Sequence, residues 1–120
     1  MNPINLKEEA KKIKELNKYT VISKMNNYNF TLIKTTKRTL DFHSHKDTDE
    51  VFFVVEGRMK LEFRNKIVEL REGEMCVVPK GVEHRPVCDT DVTCMLIEPD
   101  GTLIPDNTGG SYNNTGKIIS

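Results

Sequence analysis

At 120 residues the chain is long enough for one domain with a modest core of its own. Hydrophobic residues make up 37% and charged residues 30%, and 18 Lys+Arg balance 18 Asp+Glu to a formal net charge of zero. That balance offers no basic surface to hold a phosphate backbone, which argues against nucleic-acid binding, and no stretch approaches the apolar length of a membrane span.

In chain order, the first segment, Met1 to Lys7, lacks the apolar core of a signal peptide. A helix is predicted from Leu6 to Asn17. Asn5 can cap it, Glu8 stands where a capping-box acid would, and Leu6, Ala10, Ile13 and Leu16 follow helical spacing. Lys7, Lys11, Lys12, Lys14 and Glu15 fill the other face, so the helix is expected as a lid on one end of the domain. From Tyr19 the period changes to two. Strands are predicted at Tyr19–Met25, Phe30–Thr35, Arg38–His43, Val51–Glu56, Met59–Phe63, Ile67–Leu70, Met75–Val78, His84–Cys88 and Val92–Glu98. Turn residues separate them, among them Asn26-Asn27, Glu56-Gly57, Glu72-Gly73 and Lys80-Gly81. The basic stretch Lys34 to Arg38 reads as a solvated strand end or turn.

Many short strands with regular turns predict an all-β, antiparallel closed or two-sheet fold. Three segments follow: residues 1–18 as a helical extension, 19–99 as the β domain and 100–120 as an irregular tail. Val51-Phe52-Phe53-Val54-Val55 is apolar on both faces. It needs cover outside as well as inside, from the helix, a neighbouring sheet or a second subunit, and a homodimer is expected. Cys76, Cys88 and Cys94 are odd in number and show no C-x-x-C spacing, which fits reduced thiols in a cytoplasmic protein.

All three histidines fall inside one spaced pattern. His43-x-His45-x4-Glu50 is followed after six residues by Gly57, and Gly73-x5-Pro79-x-Gly81-x2-His84 comes later. Residues two apart on a strand share a face, with Cα atoms about 6.5–7 Å apart, so His43 and His45 can converge on one ion. A short polar turn, Lys46 to Asp49, can bring Glu50 to the same ion, and the Pro79–Gly81 turn can deliver His84 from another strand. Three imidazoles and one carboxylate suit a divalent transition metal: Fe, Mn, Ni, Co, Zn or Cu. An ion that prefers six ligands would keep two positions for water, substrate or dioxygen.

The two patterns resemble the two motifs of the cupin superfamily, separated here by 15 residues as in small single-domain members. The resemblance runs from about Tyr19 to Pro99. It implies a jelly-roll β-barrel, frequently dimeric, with one metal bound by His43, His45, Glu50 and His84. It implies no single reaction, since isomerases, epimerases, dioxygenases, decarboxylases and ligand-binding proteins share the fold. The chain departs from the second motif at Cys88, where the family often has Asn. If the strand is regular, Cys88 shares a face with His84 and Pro86, either as a reactive thiol in the cavity or as a small buried apolar residue.

With every histidine on the metal, no imidazole remains for proton transfer. Chemistry would come from the metal, through Lewis acidity or through water or dioxygen at its open positions, or from a carboxylate or tyrosine. The expected partner is a small oxygen-bearing organic molecule, handled by an oxygenase or isomerase. The alternative is a non-catalytic binding or sensing module that uses the metal as an anchor. No catalytic residue is singled out by the sequence.

Overall fold

The computed structural model describes residues 1–102. Helix α1 (Leu6–Lys12) precedes β1 (Thr20–Met25), β2 (Tyr28–Thr35), β3 (Arg38–Thr39), β4 (Glu50–Phe63), β5 (Lys66–Arg71), β6 (Met75–Val78), β7 (His84–Cys88) and β8 (Val92–Pro99). Every pairing between these strands is antiparallel, and the main path runs β1-β2-β8-β4-β7-β3, with β5 and β6 also on β4. The result is the all-β jelly roll expected, two sheets curled around one core. Of the irregular tail expected over residues 100–120, all beyond 102 lies outside the described residues. No helix among the described residues is long and apolar enough to cross a membrane.

One strand joins the two sheets. The sequence suggests two strands broken by a turn at Glu56-Gly57, but β4 runs unbroken through both. Its first half pairs β6 and β8, and its second half pairs β5 and β7. Between Val54 and Glu56 the register against β8 shifts, and Gly57 takes φ +85. Such a bulge bends the strand and lets it leave one sheet for the other. A Cβ at Gly57 would collide with the carbonyl oxygen of Asp91, whereas at Gly73 and Gly81 it would meet nothing. Phe52, Val54, Met59 and Leu61, from both halves of β4, pack in one core with Ile33, Leu70, Cys94 and Leu96.

The helix is shorter than its periodicity predicts. Asn5 caps it through Glu8 N–H at 3.0 Å as expected, but Ile13 is already extended (φ −84, ψ 118). Tertiary packing decides the end. Ile13 turns down with Ala10 onto Leu32 and Val55, and Lys34 Nζ donates to the carbonyls of Ala10 and Ile13, at 3.3 Å each. A cation on the last carbonyls is favourable at a helix C-terminus. Leu16, expected on the apolar face, is left 51% exposed. The helix therefore covers part of the outer face of the β4–β8–β2 sheet rather than capping one end of the domain.

Two further corrections fall between β2 and β4. Arg38, expected in a solvated stretch, is buried: it opens β3 opposite Cys88, and its Nη1 donates to Asn17 Oδ1 at 2.9 Å. The strand expected from Arg38 to His43 lasts only to Thr39. Leu40 N–H still donates to Pro86 O in the β3 register, but His43, not Phe42, then bridges to His84. A one-residue slip at Asp41-Phe42 thus turns His43 inward. The Phe42 ring is held between two guanidinium groups, with Arg64 and Arg85 at 3.9 and 4.6 Å from its centroid.

The bend at Gly57 yields a direct test. Gly57→Ala combines a positive φ with a backbone collision, so it should cost more than about 1 kcal/mol and lower Tm by about 5 °C or more. Gly73→Ala carries the dihedral penalty alone and should cost less. Thermal denaturation followed by circular dichroism measures both, and equal losses would refute the role of the bend.

Candidate metal centre

Four elements deliver the candidate ligands. His84 starts β7, His43 is bridged to it by backbone bonds in both directions (3.0 and 2.9 Å), His45 lies in the following loop, and Glu50 starts β4. The ligating atoms of His43, His45 and His84 lie within 4.8 Å of one another, so these three residues could hold a metal ion. Glu50 Oε1 sits 3.3 Å from His45 Nε2 and 3.4 Å from His84 Nε2. The three histidines thus form one group, and Glu50, the fourth sequence candidate, lies against two of them. The convergence of His43 and His45 does not come from strand alternation, however, because His45 is not in a strand.

The loop holding His45 is tied to the turn that precedes His84. Gly81 N–H donates to His45 O at 2.9 Å, and Lys80 N–H donates to Asp49 Oδ1 at 2.9 Å. The two halves of the constellation are thus fastened to each other through backbone groups. Asp49, part of what reads in the sequence as a plain polar turn, supplies one of these ties.

Electrostatics favour a cation at the centre of the cluster. His43 Nδ1 lies 2.9 Å from Asp41 O, and His84 Nδ1 lies 2.9 Å from Val82 O. A carbonyl can only accept, so each Nδ1 carries the proton and donates it, leaving the Nε2 lone pair for a metal. Burial pushes the His43 pKa down, which favours the neutral imidazole. Burial alone would raise the Glu50 carboxyl, but His45 and His84 beside it, when protonated, outweigh that and hold it at about 2, the effect a cation in the same place would have. His45 Nε2, His84 Nε2 and Glu50 Oε1 are buried and close, yet no hydrogen bond of acceptable angle satisfies any of them among the described residues. Buried polar atoms left so are costly, and a metal ion is the partner that this donor set fits.

The sequence family agrees with that geometry: the Cupin domain model matches residues 31–99, more than half the chain. The chain belongs to the cupin family. A cupin-2 domain-containing protein from Shewanella frigidimarina NCIMB 400 is 41% identical with TM-score 0.76, covering 80% of this chain and 93% of that one. A protein from Neisseria meningitidis is 37% identical with TM-score 0.72, covering 82% of this chain and all of that one. Protein YdbB of Bacillus subtilis strain 168 is 34% identical over 82 residues, or 68% of this chain and 72% of YdbB.

Behind the candidate ligands of this cupin lies a cavity of about 50 Å³, room for a few water-sized groups. His43 and Glu50 line it together with Phe52, Tyr19, Arg38 and Cys88. Cys88 does face the cavity, as strand parity suggested. Burial pushes its thiol up to about 11, so it stays protonated and serves as a small apolar wall residue. Tyr19 likewise keeps its proton, with burial raising it to about 12.

Sequence reasoning missed Arg38, Tyr19 and Glu98. Glu98 is 1% exposed, and burial, with Glu50's charge added, raises its carboxyl to about 9. A signal for Glu98 existed, because Cys94, Leu96 and Glu98 alternate inward on one strand, placing a carboxyl at a core position. Arg38 had no such signal, since the slip after it hides the strand period.

The tie through Asp49 makes a prediction. Asp49→Ala should weaken metal retention about tenfold with little loss of secondary structure, while Asp49→Asn, which keeps the accepting oxygen, should restore most of it. Metal titration of the chelator-treated protein tests this, and unchanged affinity in Asp49→Ala would show the tie to be dispensable.

Proposed function

We propose that this cupin holds one divalent transition metal per chain through His43, His45, Glu50 and His84. We further propose that it uses the metal to act on a small oxygen-bearing organic molecule as an oxygenase or isomerase. The observation that carries this reading is the trio of buried, unsatisfied atoms His45 Nε2, His84 Nε2 and Glu50 Oε1, with the Glu50 oxygen 3.3 and 3.4 Å from the two nitrogens. When bound, the ion would supply Lewis acidity or, if redox-active, electron transfer. The four side chains hold it and offset one of its charges. Phe52 and Leu96 in the cavity wall keep bulk water from the ligand. With the imidazoles committed to the ion and the Thr35 hydroxyl donating to Asn17 Oδ1, Tyr19 offers the wall's other O–H, and its proton stays on oxygen at neutral pH.

The metal assignment predicts that His45→Ala and His84→Ala lose most of the bound metal while far-UV circular dichroism barely changes, because neither histidine belongs to the apolar cluster that holds the sheets together. Elemental analysis of the native protein, then a metabolite screen with and without dioxygen, tests the rest. Iron with oxygen uptake marks an oxygenase, and a non-redox metal with anaerobic turnover marks an isomerase. Tight ligand retention without turnover under either condition replaces the enzyme by a binding or sensing module. Wild-type protein that retains none of Mn, Fe, Co, Ni, Cu or Zn refutes the site. Three unpaired cysteines fit a protein that works in the reducing cytoplasm.

A homodimer is part of the same proposal. Helix α1 covers Val55 and packs on Phe53, but Val51 is only half-buried, and Met75 and Val77 on β6 are 58% and 48% exposed. An apolar sheet edge of this kind invites pairing, and closed two-fold symmetry is its commonest solution. Sedimentation should give a dimer at micromolar concentration and a monomer for Val77→Lys. A monomeric wild type refutes it.

A further inference from the structure

The cavity behind the metal cluster has a chemical polarity that the metal ligands do not explain. At one end stand His43 and Glu50. Most of the wall is apolar, with Ile33, Leu40, Phe52 and Met59 among its residues. Arg38 is the one permanently cationic side chain among the described residues lining it, and that residue is only 8% exposed. Its direction is set by the sheet: Arg38 pairs with Cys88, so both side chains project from the same face, and Cys88 lines the cavity.

Arg38 is also held in place. Asn17 Oδ1 accepts from Arg38 Nη1 at 2.9 Å and from Thr35 Oγ1 at 2.6 Å, which restrains one edge of the guanidinium. Thr35 and Tyr19 line the cavity too: Thr35 shares Asn17 Oδ1 with Arg38, and Tyr19 feels both the positive charge of Arg38 and the negative charge of Glu50. Cys88, the partner of Arg38, stands four positions along β7 from His84, the partner of His43. At strand rise this is about 13 Å between backbones, a gap that the inward side chains shorten to the length of a small molecule. An oriented guanidinium presents a planar fork of N–H donors that matches a carboxylate far better than it matches a hydroxyl or a carbonyl.

We propose that the ligand of this centre is a small organic acid, its carboxylate received by Arg38 beside the Tyr19 hydroxyl and an oxygen at its other end directed at the metal. This assignment rests on the metal reading above and narrows it from oxygen-bearing molecules in general to carboxylic acids.

The test uses the full-length, metal-loaded protein and calorimetric titration with 2-oxobutanoate, 2-hydroxyisobutyrate and malonate, each compared with its methyl ester. At least one acid should bind about tenfold or more tightly than its ester, as expected for a hydrogen-bonded charge pair. Arg38→Met should erase that preference while elemental analysis finds its metal content unchanged, and Arg38→Lys should keep part of it. Equal affinity of acid and ester, acid binding retained by Arg38→Met, or no acid bound below about 10 mM overturns the proposal. Should Arg38→Met fail to fold, the comparison of acid with ester on the wild type decides alone. Wild-type protein without metal overturns the metal reading and this inference with it, whereas bound metal without acid preference overturns only the inference.

Discussion

The fold depends on a strand that belongs to two sheets. Because β4 runs from Glu50 to Phe63 without a break, the sheet carrying β8 and the sheet carrying β7 cannot move independently. The bend that makes this possible brings Gly57 against the backbone of Asp91, a contact that only a residue without a side chain can make. The same strand begins with Glu50, so the carboxylate of the cluster is anchored to the most heavily paired element of the molecule. Its position is inherited from the core rather than from a loop.

The histidines are held by a different principle. His43 and His84 are paired through backbone hydrogen bonds, and each also spends its Nδ1 proton on a carbonyl two residues earlier. His45 has neither anchor and depends on the contact of its carbonyl with Gly81. A cluster built this way presents its lone pairs already aimed, and most of the cost of gathering four polar groups is met by folding.

Much of this was legible in the sequence because chemistry and spacing agreed there. The four candidate ligands stood out since every histidine fell within two motifs, and the turn residues around them are the ones the backbone uses. Most strands could be read from alternation, including Met75–Val78 and His84–Cys88 to the residue. The failures have physical causes. The continuity of β4 was hidden because glycine reads as a turn unless a bulge is known, and bulges depend on a partner strand far away in sequence. The register slip at Asp41-Phe42 is settled by packing, with Phe42 drawn between Arg64 and Arg85, and leaves no local mark. The helix ended early because Ile13 is worth more buried against Val55 than continued along a helical axis. Arg38 looked like surface because its partner, Asn17, lies 21 residues away.

The two cysteines of the cavity wall bear on which metals this cluster can capture. Burial pushes the thiols of Cys88 and Cys94 upward, Cys94 the further, so both remain S–H at cellular pH. A protonated thiol is a poor ligand and a slow target for oxidants, since thiolate is the reactive form. The centre therefore presents only nitrogen and oxygen donors although sulfur lines the same chamber. Soft ions such as Cu(I) find no thiolate to recruit, and borderline divalent ions meet the imidazoles without competition. The apolar wall thus withholds sulfur from any ion that reaches the histidines, and it keeps both thiols in the form that oxidants attack slowly.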